Sequence, residues 1–173
     1  MPSSYQPPTR KDKAAGKTHS QSANSNLSAE NTTVQRILDG KTGSVISIRP
    51  QETLATAVGV LRDHSIGALM VTDSSGALVG ILSERDIVRK LAETPGETLP
   101  QKVQDVMTQS VETCRPDEPL ISALRRMTDG RFRHMPVVDG PKLCGMITIG
   151  DVVNFRLTEL EHEALQLKQL IVG

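Results

Sequence analysis

The chain has 173 residues with 20 basic and 20 acidic side chains, and this zero formal net charge argues against a dedicated nucleic-acid binder. Trp is absent and Tyr5, Phe132 and Phe155 are the only aromatics, so no ladder of stacking rings exists for single strands and the core rests on Leu, Ile, Val, Met and Ala. Cys114 and Cys144 are too few for a disulfide framework or zinc cluster, and no apolar run reaches the roughly 18 residues of a membrane helix, which predicts a soluble protein of a reducing compartment.

Residues 1–31, rich in Ser, Pro, Gln, Asn, Lys and Thr, read as a disordered polar tail. Arg10, Lys11, Lys13 and Lys17 give it a mild positive charge, which leaves an organelle presequence as an alternative to a solvated tail. The expected location is therefore cytoplasmic, or an organelle matrix if the tail is a presequence. From Thr33 the composition becomes that of a folded domain. Val34 to Leu38 reads as a short helix, and Ser44 to Pro50 as an alternating strand closed by proline. Leu54, Ala57, Val58 and Leu61 form the apolar stripe of a second helix that ends by Ser65. Ile66 to Thr72 is an apolar strand, Asp73 to Gly76 a hairpin turn, and Ala77 to Leu82 the returning strand. A helix follows through Leu91, and residues 94–101, with Pro95, Gly96 and Pro100, read as a linker.

After the linker the same elements recur. Val103 to Met107 echoes Val34 to Leu38, and Ser110-Val-Glu-Thr-Cys-Arg-Pro116 echoes Ser44-Val-Ile-Ser-Ile-Arg-Pro50. Over Ser44 to Asp73 against Ser110 to Asp139, about a third of the residues are identical without a gap. Leu120, Ala123, Leu124 and Met127 repeat the helix stripe, and Met135 to Asp139 repeats a strand and turn. The resulting map is a tail at 1–31, a first repeat at 32–93, a linker at 94–101, a second repeat at 102–155 and a long helix over 152–173. A copy of about 60 residues is marginal as a separate core, so the two copies are expected to pack together.

The stretch from Gly80 to Val88 returns as Gly145 to Val153, each with glycine, two apolar residues, a hydroxyl, and an aspartate three positions later. On a strand-turn-helix path, Ser83 and Thr148 fall at helix N-caps, and Asp86 and Asp151 in the first helical turns. Two readings compete. One is a capping box worth roughly 1 kcal/mol; the other is a ribose site, with the carboxylate accepting from a sugar diol beside a helix N-terminus that favours phosphate.

With both turns at matched places in a full internal repeat, residues 34 to 155 resemble a tandem pair of cystathionine-β-synthase-type (CBS) domains, also called a Bateman module. The resemblance rests on the two Ser-Val-containing strands that end in Arg-Pro, the strand Arg133-His-Met-Pro-Val-Val-Asp139, and the two Gly-x-x-Ser/Thr-x-x-Asp turns. It implies an α/β (α+β) fold of two pseudo-symmetric β-α-β-β-α repeats packed through their sheets. It further implies that an adenosine-containing ligand, such as AMP, ADP, ATP, NAD(H) or S-adenosylmethionine, binds in the clefts as a regulatory ligand, with no cofactor required.

On the matching positions, ribose contacts fall to Ser83, Asp86, Thr148 and Asp151. Phosphate contacts fall to Arg85, Arg133 and His134, with a solvated surface as the alternative for the arginines. Val45, Ile46, Ile66, Gly67, Ala68 and Val111 are candidate adenine walls, although apolar strand residues are core by default. Arg133-His134 aligns with Gly67-Ala68, so the two sites are expected to be unequal.

From Val152 to Val172 the chain reads as one helix with Leu157, Leu160, Ala164, Leu167 and Ile171 along a heptad seam. Folding back on the module and pairing with a second copy both remain open, and the resemblance favours a homodimer. No Walker loop, nucleophile elbow, zincin motif or dinucleotide fingerprint is present, and His64, His134 and His162 are far apart in sequence. The reading is a non-enzymatic sensor that signals to an unidentified regulated protein, without nucleic-acid or membrane partners. A nucleotide-independent scaffold and, less favoured, an enzyme stand as alternatives.

Overall fold

The computed structural model describes residues 32–41 and 44–172. The predicted disordered tail lies outside the described residues. In chain order the elements are α1 (Val34–Asp39), β1 (Ser47–Ile48), α2 (Leu54–His64), β2 (Ala68–Thr72), β3 (Leu78–Ser83), α3 (Glu84–Glu93), α4 (Val103–Val106), α5 (Leu120–Asp129), β4 (His134–Asp139), β5 (Lys142–Thr148) and α6 (Ile149–Val172). Helices and small sheets are thus mixed. β1 pairs parallel to β2, β2 antiparallel to β3, and β4 antiparallel to β5.

Each copy of the repeat contributes one β-hairpin, β2–β3 and β4–β5. In the first, Asp73 organises the turn: its Oδ1 accepts from the Ser75 hydroxyl at 2.6 Å and from the backbone N–H groups of Ser75 and Ala77 at 2.9 and 3.0 Å. These bonds hold its carboxyl below the usual range, the Ser75 hydroxyl most of all. Ser65 and Arg131 occupy the same place in the two copies, and both are non-glycine residues with φ of 52° and 55°. A left-handed residue here costs about 1–2 kcal/mol, and the sharp reversal it makes aims the next residues away from the helix.

The predicted first strand, Ser44 to Pro50, contracts to Ser47–Ile48, and its echo at 110–116 makes only a single bridge, Cys114 to Val137. Two hydrogen bonds flank that bridge, Cys114 N–H to the Pro136 carbonyl at 3.0 Å and Val138 N–H to the Cys114 carbonyl at 2.9 Å. Pro116 has no N–H with which to extend the ladder. The predicted strand from Ile66 begins two residues later, at Ala68, because the Ser65 turn leaves Ile66 and Gly67 outside the sheet. α6 starts at Ile149, before the expected Val152, since Thr148 already supplies its cap.

The packed halves are not the sequence repeats. α1 opens the first repeat, yet its buried Val34 and Ile37 lie in one cluster with Leu120, Met127, Met135 and Ile147 of the second. Conversely, Val103 of α4 is buried among Leu54, Leu69, Val71 and Leu82 of the first. Burying such side chains stabilises by about 1.5–3 kcal/mol each, so the exchange is a strong tie between halves. Backbone bonds follow the same pattern. Neither α1 nor α4 has a side-chain cap. Instead Val34 and Gln35 donate to the carbonyls of Glu118 and Pro116, and Val103 and Gln104 to those of Glu52 and Pro50, at 2.8–3.0 Å. Their first-turn N–H groups are thereby satisfied by the other copy. Gly40 and Lys41 after α1, and Ser44 to Ile46 before β1, line the gap between the two cores.

Candidate ligand-binding cleft

Both Gly-x-x-Ser/Thr-x-x-Asp turns fold as strand, N-cap and helix. Ser83 accepts from Asp86 N–H at 3.3 Å, while Asp86 Oδ2 accepts from Ser83 N–H at 2.9 Å and from its hydroxyl at 2.5 Å. Thr148 accepts from Asp151 N–H at 3.1 Å, and Asp151 Oδ2 accepts from Thr148 N–H at 2.7 Å. Each is a reciprocal capping box, so the bland reading of the sequence is realised in both copies.

What differs is the surroundings. Thr148 and Asp151 open onto a cleft of about 650 Å³ whose other walls include Val45, Ile46, Ile66, Gly67, Met70, His134, Gly145 and Met146. The apolar side comes from the first repeat, before β1 and after the Ser65 turn. His134, Thr148 and Asp151 come from the second, at the ends of β4 and β5 and the start of α6, and Lys41, Ser44 and Ser65 add polar groups from the first. Seven candidate residues therefore meet in one place: Val45, Ile46, Ile66, Gly67, His134, Thr148 and Asp151.

Ser83, Asp86, Arg85, Arg133, Ala68 and Val111 do not line this cleft. Ala68 is fully buried in the core, which removes it as a wall for any ligand. Val111 is half-buried in the connection before the Cys114 bridge. Arg85 and Arg133 are exposed; Arg85 reaches only the Arg131 carbonyl, at 3.4 Å. Around the Ser83 turn, Met107 covers Gly80, where a Cβ would lie 2.5 Å from its Sδ, much as the matching Leu38 covers Gly145 at 3.0 Å; Ile81 and Thr108 also exchange two backbone bonds of 3.0 and 2.9 Å.

Lys41 is a cleft residue that sequence reasoning missed. Its Nζ lies 2.7 Å from Asp151 Oδ2 and donates to the Met146 carbonyl at 2.8 Å. Five residues separate Leu38 from Ser44 but only two separate the matching Met107 and Ser110, so Lys41 sits in an insertion that has no echo in the second copy. The length difference was the available signal. With the Lys side chain 40% exposed and the Asp 25%, the pair contributes about 0–1 kcal/mol to stability.

His134 begins β4 beside Gly67, where a Cβ would stand 3.3 Å from its Nε2 and 3.6 Å from Glu84 Oε2. Burial pushes its pKa below the ordinary 6.5, against the pull of Glu84 and Asp151; Lys41 and Arg133 push the same way as burial. Cys144 also lines the cleft, half-buried with a free thiol. The Cys114 thiol, by contrast, lies in the core and is pushed up to about 12 by burial, so it is packing rather than a nucleophile. Among the described residues no group of three or more His, Cys, Asp or Glu is arranged to hold a metal ion, and no helix is long and apolar enough to cross a membrane.

A protein-family model, that of the CBS domain, matches residues 41–93 and again 103–158. The chain belongs to the CBS-domain family. A mitochondrial CBS domain-containing protein of Arabidopsis thaliana, CBSX3, is 34% identical over 152 residues, covering 83% of this chain and 74% of that protein. Among solved structures, a CBS-domain protein of Agrobacterium tumefaciens is 40% identical with a TM-score of 0.70, over 73% of this chain and 94% of that one. The CBS domain pair of protein MJ0100, solved in complex with 5′-methylthioadenosine and S-adenosyl-L-methionine, is 27% identical with a TM-score of 0.66, over 74% of this chain and 98% of that one. Two CBS domains in tandem, with mixed helices and strands, are thus shared with these relatives.

Proposed function

We propose that this CBS pair is a regulatory module that binds an adenosine-containing ligand in the cleft between its repeats and passes the occupancy to a partner protein. The observation that carries this reading is the convergence of Thr148, Asp151 and His134 from one repeat with Val45, Ile46, Ile66 and Gly67 from the other on one cleft of about 650 Å³. That volume lies within the 300–1,000 Å³ typical of small-molecule sites. The base packs against the apolar wall and the ribose diol donates to Asp151, whose capping role already points its carboxylate at the helix entrance. The adenosine ligands bound by protein MJ0100 support the ligand class. The Ser83–Asp86 turn caps its helix as the Thr148–Asp151 turn does but does not line this cleft, and on that ground the two repeats are unequal.

A ligand touching both halves favours the arrangement in which they are closest, so its binding energy biases the module between states. Signalling requires no catalysis by this chain. The exposed Leu157, Leu160, Leu167 and Ile171 on α6, with Ile121 and Val153 exposed beside them, form an apolar seam suited to a second copy, and the homodimer reading rests on it. The mitochondrial relative keeps the organelle matrix open beside the cytoplasm as the working compartment.

The test is a thermal-shift and calorimetric panel of AMP, ADP, ATP, NAD, NADH, S-adenosylmethionine and 5′-methylthioadenosine on the full chain. Saturable stabilisation by at least one ligand, without turnover, supports the sensor. Absence of any response from ligand-free folded protein favours the nucleotide-independent scaffold.

A further inference from the structure

Lys41 stands where a ligand's charge would be read. Among the described residues it is the single Lys or Arg lining the cleft, which otherwise presents Asp151, the polar groups of Ser44, Ser65 and Thr148, and His134. Glu84 adds a second carboxylate near the same wall, 3.6 Å from where a Gly67 Cβ would be. An anionic ligand entering this space meets Asp151 and Lys41 on the lining, with Glu84 and Arg133 of opposite charge near His134 just outside it. We infer that Lys41 is the specificity residue of the cleft, admitting adenosine compounds with a phosphate beside the ribose in preference to uncharged ones. The inference rests on the adenosine reading of the cleft and says which branch of that class the site takes.

The geometry supports the role in three ways. An ammonium group has three N–H donors, and the contacts to Asp151 and the Met146 carbonyl, at 2.7 and 2.8 Å, use two of them. The third remains for a phosphate oxygen while the bond to Asp151 persists, so one side chain links the ribose acceptor to the phosphate. Second, the side chain is 40% exposed and four carbons long, which lets its head follow the ligand without moving the backbone. Third, the lysine stands between α1, whose Val34 and Ile37 are buried in the second core, and β1, whose Ile48 is buried in the first. Phosphate bound there is held by the segment that ties the halves together. Burial keeps His134 from supplying the charge in its place near neutral pH.

Without Lys41 the site inverts its preference: Asp151 is left unscreened, repels phosphate, and keeps its full acceptor capacity for a ribose diol. Calorimetry with AMP and with adenosine, on the full-length wild type, Lys41→Met and Lys41→Arg, separates these outcomes. The wild type is expected to bind AMP more tightly than adenosine. Lys41→Met should lose AMP affinity by about tenfold to a hundredfold, the worth of a hydrogen bond to a charged group, while adenosine affinity is unchanged or improved. Lys41→Arg should retain most of the AMP preference. Lys41→Gln, which keeps a polar head without charge, should behave as Lys41→Met does and guards against an effect of the apolar replacement itself. Equal weakening of both ligands in the methionine and glutamine variants would mean a structural lysine and overturn the inference. So would unchanged AMP binding. A wild type that binds both ligands equally overturns it too, yet leaves the adenosine cleft standing; a wild type that binds neither overturns both.

Discussion

Asp86 and Asp151 make the same reciprocal backbone capping contacts in the two repeats, Asp86 with an added bond from the Ser83 hydroxyl, but only Asp151 lines the cleft. Replacing each by alanine therefore separates folding from binding. Loss of a capping side chain costs about 1 kcal/mol, and Asp151 also forfeits the Lys41 pair, worth about 0–1 kcal/mol. Asp86→Ala should thus destabilise by about 1 kcal/mol and Asp151→Ala by about 1–2 kcal/mol, or roughly 3–8 °C in Tm across the two for a module of this size. Ligand binding should not follow that pattern. A ribose hydrogen bond to a carboxylate is worth about 1.5–3 kcal/mol, so Asp151→Ala should raise Kd by about ten- to a hundredfold and Asp86→Ala hardly at all. At a ligand concentration of about 100 times the wild-type Kd, the stabilisation of roughly 2.7 kcal/mol would fall to roughly 0.9 kcal/mol after a thirtyfold loss. Scanning calorimetry with and without AMP, backed by titration calorimetry, reads both quantities on the same samples. Equal loss of affinity in the two variants, or an Asp151→Ala protein that is destabilised yet keeps its full ligand-induced shift, would refute the division of labour.

His134 gives a pH signature. Its folded pKa is depressed, so between that value and the unfolded 6.5 the unfolded chain binds more protons, and stability falls as pH drops through this window. Glu84 and Asp151 oppose the depression while Lys41 and Arg133 reinforce it, and melting curves from about pH 8 to pH 5 should lose that slope in His134→Gln. Gly80→Ala places a Cβ 2.5 Å from Met107 Sδ and 3.1 Å from the Thr108 carbonyl, and should cost about 1–3 kcal/mol by chemical denaturation. Pairing it with Met107→Ala should recover part of the loss. Removing residues 159–173 deletes most of the exposed α6 seam but spares the buried Val152 and the packed Phe155. Light scattering is expected to report a dimer for the full chain and a monomer for the truncated one, with the melting of the module little changed.

Much of this architecture was legible because the repeat prints it twice. Ser83 and Thr148 as caps, the Asp73 turn, and the stripe of Leu54, Ala57 and Leu61 are local events governed by neighbouring residues, and local periodicity and turn chemistry expose them; Val58, read into the same stripe, is exposed. The extent of the first strand was not, since Ser44 to Pro50 alternates like a full strand but only Ser47 and Ile48 find a partner in β2. Pairing partners are set by tertiary context. Ile66 and Gly67 escape the sheet through the left-handed Ser65, a conformation that serine does not advertise. The arginines failed as cleft residues for a related reason. Arg133 occupies the position of Gly67 in the repeat, and repeat position alone does not reveal which of two pseudo-equivalent turns lines the cleft of about 650 Å³. Lys41 was hidden by the opposite circumstance, because an insertion present in one copy offers no echo to compare.

The exchange of α1 and α4 between the cores carries over to how such a chain can be divided. A polypeptide severed within residues 94–101 would yield two fragments, each lacking the plug for its own core and carrying the plug for the other. Neither should fold alone, and mixing them should restore the module, as in fragment complementation. The smallest heritable piece of this protein is accordingly the pair, and a single repeat moved into another gene would arrive with an open core.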